Sequence, residues 1–112
     1  MREDKLLYEH LVEDSLMDYK SIYQKTDITD VANPYYKEAI TLFQELSKEQ
    51  QKVLFKIINQ TQIDTVSHFL GILDGTSTLE SNIDFLLTLE DRQTKLNGDL
   101  QDYFIELVEE KE

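Results

Sequence analysis

From Ser47 to Gly75 the chain reads SKEQQKVLFKIINQTQIDTVSHFLGILDG, and its apolar residues recur at helical intervals. On a helical wheel Leu54, Ile57, Ile58, Phe69 and Ile72 share one stripe, whereas Lys52, Lys56 and Gln60 lie roughly opposite. Ser47 followed three residues later by Gln50 is a capping-box pattern, in which hydroxyl and amide satisfy each other's orphan backbone N–H groups. The helix is therefore expected to begin at Lys48. Its end is expected at Asp74-Gly75, because glycine adopts the left-handed closing conformation without a Cβ clash. In the second half Ile63, Val66, Phe69, Leu70, Ile72 and Leu73 nearly encircle the axis, as in a helix covered on several sides. A long central helix over about 48–74 is the expected hub, with Phe69 among its packed aromatics.

Polar residues interrupt that stripe. Thr61, Thr65 and His68 fall inside it and Asp64 lies at its edge, one turn before His68. A buried polar seam needs partners. The run Asn59-Gln60-Thr61-Gln62 is weak in helix formers, and Thr61 with Asp64 repeats the capping-box spacing, so a break near 59–62 is the alternative to one continuous helix. The apolar register carries through without a shift, which favours continuity.

The remaining segments organise around this hub. Residues 3–24 predict a first helix, with Leu7, Tyr8, Leu11, Val12, Ser15, Tyr19, Ile22 and Tyr23 at three- and four-residue intervals. KTDITDVA, residues 25–32, lacks that period and reads as a loop. Asn33-Pro34 announces a second helix, since asparagine caps well and proline suits the first turn. Tyr36, Ala39, Ile40, Phe43 and Leu46 give its buried stripe, and only Ser47 separates it from the central helix. Beyond Gly75 the pattern is ambiguous: Phe85, Leu87 and Leu89 alternate with polar residues, while Leu79, Ile83, Leu86 and Leu87 also fit a helix. The alternation favours a short β-hairpin over about 83–96, with strands near Ile83 to Leu89 and Gln93 to Leu96. Asn97-Gly98 signals a turn, and a last helix from Asp99 follows, with Leu100, Tyr103, Phe104, Leu107 and Val108 at helix spacing. The expected fold is a mostly α, small helical bundle in one domain.

Composition narrows function more than it reveals it. A chain of 112 residues, 40% apolar with six tyrosines and five phenylalanines, supports a folded core. The absence of cysteine excludes disulfides and thiol chemistry. No segment reads as a signal peptide or membrane span, so a cytoplasmic home is expected. Lysines plus arginines number 11 against 23 acids, a net charge of −12, which disfavours nucleic-acid binding. The charge is uneven: residues 31–75 hold five acids and four bases, residues 76–112 ten acids and three bases.

Candidate chemistry is sparse. His10 with Asp14 and Asp64 with His68 are i,i+4 couples that project from one helix face and could hold a metal if their helices faced each other. With so many carboxylates, chance pairing is the better explanation, and no ligand signature such as HExxH accompanies them. No GxSxG elbow or glycine-rich phosphate loop is present, so neither enzyme activity nor a metal or other cofactor is expected.

Two surfaces are candidates for a partner. Asp99, Asp102, Glu106, Glu109 and Glu110 crowd the last helix with the single Lys111, and the acids near its end oppose the helix dipole, so helix stability does not explain them. Tyr35 and Tyr36 belong to a tyrosine-rich first half, and tyrosine is enriched at interfaces. The expected function is a non-catalytic acidic interaction protein that binds a basic protein partner, in the manner of an immunity protein, inhibitor or regulator. The alternatives are a metal- or small-molecule-binding module centred on Asp64 and His68, and a homodimeric structural subunit.

Overall fold

A computed structural model describes residues 2–75, 85, 87, 88 and 97–111. The protein is mostly α-helical, and no strand occurs among the described residues. Helix α1 (Arg2–Tyr8) passes through a widened π-helical turn, Glu9–Glu13, into α2 (Asp14–Lys25), so the predicted first helix holds with one extra residue in its middle. There the Asp14 N–H reaches back five residues to the Glu9 carbonyl. The predicted loop contains a 3-10 turn, Ile28–Asp30, capped by Asp27, whose carboxylate accepts from the Thr29 N–H at 3.0 Å and from its hydroxyl at 2.8 Å. Those bonds, the backbone one first, hold the Asp27 carboxyl below the usual aspartate range.

Helix α3 (Pro34–Glu45) starts as its sequence predicts: the Asn33 side chain accepts from the Tyr35 N–H at 2.9 Å, and Pro34 occupies the first turn. Helix α4 (Lys48–Asp74) runs unbroken for 27 residues, about 40 Å at the usual helical rise, in a molecule 49 Å along its longest axis. Both halves of the capping box form, the Gln50 N–H donating to Ser47 Oγ at 3.1 Å and the Ser47 N–H to Gln50 Oε1 at 2.9 Å. Gly75 closes the helix at φ +84°, a conformation that side chains rarely adopt. The α3–α4 corner is stitched by Gln51, whose amide donates to the carbonyls of Phe43 and Leu46 at 3.0 and 3.4 Å. The hairpin expected over 83–96 falls, apart from residues 85, 87 and 88, outside the described residues.

Two cores share α4. The first gathers Tyr8, Val12, Ile63, Leu70, Leu100, Phe104 and Val108, from α1, the π-turn, the second half of α4 and α5 (Leu100–Lys111). The second gathers Tyr23, Ile40, Phe43 and Phe55, from α2, α3 and the first half of α4, with mutually tilted rings whose centres lie 5.4 Å apart between Tyr23 and Phe43 and between Phe43 and Phe55. The face that α4 buries therefore turns along its length. Leu54, Phe55 and Ile58 serve the second core; Ile63, Val66, Leu70 and Leu73 serve the first, a rotation of about a quarter turn on the helical wheel.

This corrects the expected single stripe. Ile57 and Phe69 stand 56% and 51% exposed, so Phe69 is no core aromatic. Thr61, Thr65, His68 and Asp64 face solvent rather than forming a buried seam; the Thr61 hydroxyl donates to the Ile57 carbonyl at 2.7 Å. Leu11 and Tyr19 are likewise exposed, because the π-turn shifts the register of the first helical column.

The far end of the first core is closed by polar groups. Asn97 is buried; its Nδ2 donates to the Leu73 carbonyl and, at 2.8 Å, to the Phe85 carbonyl, while its Oδ1 accepts from the Leu87 N–H at 2.7 Å. Asp74, the last residue of α4, accepts from the N–H groups of Gly98 and Gln101 at 2.5 and 2.7 Å, and so caps the start of α5 from a distance. Gly71 lets Gln101 lie against α4: a Cβ there would meet the Gln101 amide at 2.8 Å. That amide donates to the Ser67 carbonyl at 2.9 Å.

Candidate functional site

The way α5 docks decides which of its residues meet solvent. Leu100, Phe104 and Val108, four residues apart, are buried, which turns the opposite side outward. Asp102, Glu106 and Glu109 occupy that outward side at i, i+4 and i+7, with Asp99 and Glu110 beside them, and all five are exposed. Tyr103 and Ile105 flank the acidic stripe, each 39% exposed. Lys111 is drawn away from it: its ammonium lies 3.8 Å from Glu13 and 5.3 Å from the centre of the Tyr8 ring. The helix thus presents carboxylates with apolar edges, a pattern suited to the rim of an interface.

The tyrosine-rich surface lies around the second core. Tyr35 is exposed, Tyr36 is half-buried, and their rings meet edge-on at 5.1 Å. Tyr35, Leu42, Ala39 and Leu54 line a hollow of about 350 Å3 that reaches the buried Tyr23. Burial first, and then the hydroxyl of Tyr35 and the nearby phenols, push the Tyr23 phenol up to about 12.

The two histidine–aspartate couples differ. His10 Nδ1 donates to Asp14 at 3.0 Å as spacing predicts, with both side chains exposed. Asp64 instead accepts from Gln60 at 2.8 Å, one turn on its other side, and both Asp64 and His68 are exposed. Among the described residues no three histidine, aspartate or glutamate side chains converge on a point that could hold a metal.

Lys52 and Lys56, which the helical wheel sets only opposite the apolar stripe of α4, line a groove with Lys20. The nearly neutral balance of residues 31–75 was the available signal. Asn97 stands in the turn that the sequence predicts, and its side chain in addition anchors the end of α4, which the turn signal does not foretell. No helix among the described residues is long and apolar enough to cross a membrane. Comparison with protein-family models, with curated proteins and with solved structures finds no match.

Proposed function

We propose that this is a non-catalytic interaction protein that binds a basic protein partner, in the cytoplasm, through the outward face of α5. One observation carries the reading: Asp102, Glu106 and Glu109 stand in line on that face with exposed Tyr103 and Ile105 at its edges, while Lys111 turns toward Glu13. Neutralising neighbours would make such a stripe a mere solubility device; here the adjacent cation is held elsewhere. Carboxylates at a rim steer an oppositely charged partner, and the flanking apolar groups supply area that leaves water on docking.

The test is a pull-down from the source cell with wild type and with Glu106→Lys/Glu109→Lys. A basic polypeptide should be retained by the wild type. Its association rate should fall in the double variant, and the salt dependence of that rate should flatten. An acidic partner, or equal association of the double variant at every salt concentration, overturns the assignment of α5. The exposed Tyr35 and the adjoining hollow beside Tyr36 would then be the better surface.

A further inference from the structure

The acidic surface of this protein has an exception. Between α2 and α4 runs a groove of about 680 Å3 lined by Lys20 and Gln24 on one side and Lys52, Lys56 and Asn59 on the other, with Phe55 at its base. Among the described residues that line it, three are lysines and none is acidic, in a chain with 23 acids against 11 lysines and arginines. The arrangement follows from the helices. Lys52 and Lys56 project one turn apart from α4, while Lys20 comes across from α2 and sets its ammonium 5.7 Å from the centre of the buried Phe55 ring. That cation–π contact fixes Lys20 over the base of the groove. Lys52 and Lys56 carry like charges a turn apart, which repel unless an anion lies between them. Lys52 reaches Glu49 at 3.4 Å, an exposed pair that a bound anion can displace at little cost.

We propose that this groove binds a small anion carrying two or more phosphate groups. Ammonium groups are compact point charges, and in that role lysine is a common binder of phosphoryl oxygens. Three of them match the roughly three negative charges of a diphosphate near neutral pH. The amides of Gln24 and Asn59 add hydrogen-bonding groups, and the volume exceeds that of a lone phosphate, leaving room for the organic part of a phosphorylated metabolite. The net charge of −12 repels free anions in general. Occupancy therefore depends on the local cluster rather than on the protein's overall field.

Isothermal titration calorimetry with inorganic tripolyphosphate tests the site. One equivalent should bind the wild type, and each of Lys20→Gln, Lys52→Gln and Lys56→Gln should weaken binding roughly three- to tenfold. The triple variant should bind none. Lys37→Gln on α3 removes the same charge outside the groove and should leave the affinity unchanged. All three lysines are exposed, and an unaltered circular dichroism melt establishes that each variant folds. The proposal is overturned by absence of binding to the wild type, by equal losses in Lys37→Gln, or by equal affinity for citrate at matched ionic strength, which would make the groove a general anion trap.

Discussion

α4 serves two cores, and they are closed in different ways. Around its first half, Tyr23, Ile40, Phe43 and Phe55 come from helices adjacent in sequence, and the turns between them are set by local devices: the Asp27 cap, the Asn33 cap with Pro34, and the Ser47–Gln50 box. Around its second half, the packing partners Tyr8 and Phe104 come from opposite ends of the chain, with ring centres 6.0 Å apart. No local signal can bring those ends together. Longer loop closure costs more entropy, and the first core offsets it with more buried side chains and with the bonds of Asn97, Asp74 and Gln101, which span sequence separations up to 34 residues. Among the described residues the second core has fewer buried side chains, four against seven, and large apolar residues stay exposed around both, Leu42 and Val53 beside the second and Leu11 and Phe69 beside the first. Local specification thus produces the second core, and long-range packing the first.

The largest effect that this contrast predicts is at Phe104, which is fully buried in the first core. Phe104→Ala should cost about 3–5 kcal/mol in urea denaturation, the range for emptying a packed aromatic site. A loss below about 1 kcal/mol would mean that α5 does not close the core.

Next comes the alkaline behaviour of the second core. The Tyr23 phenol, raised from its ordinary 10 to about 12, favours the folded state in its neutral form. That contribution is fully present below pH 10 and is lost as pH rises through about 12. Stability curves of wild type and Tyr23→Phe should therefore diverge across that interval, with only the wild type losing this share. Parallel curves would show that the Tyr23 hydroxyl is not held in the core.

The smallest effect should be at Phe69. Half-exposed on α4, it should lose less than about 1 kcal/mol on replacement by alanine. A loss of about 3 kcal/mol would restore the single buried stripe and remove the rotation of the buried face between the two cores.

The sequence by itself determined the helices and their ends. Ser47 with Gln50, Asn33 with Pro34, and Gly75 place the boundaries of α3 and α4 because capping acts within a few residues, and the helical spacing of Leu100, Phe104 and Val108 marked the inward side of α5. The acidic stripe was equally legible, since Asp102, Glu106 and Glu109 fall opposite those residues on the same helix. What the sequence left open is which apolar positions are covered. Ile57 and Phe69 satisfy helical periodicity as well as Leu54 and Leu70 do, yet folded proteins expose many apolar side chains, and periodicity does not name the neighbour. Only the tertiary structure decided that α2 and α3 cover one half of α4 while α1 and α5 cover the other, turning its buried face midway. The same packing set Lys20 across from Lys52 and Lys56, and Asn97 against the end of α4, because each juxtaposition joins residues more than twenty positions apart, beyond the reach of any local pattern.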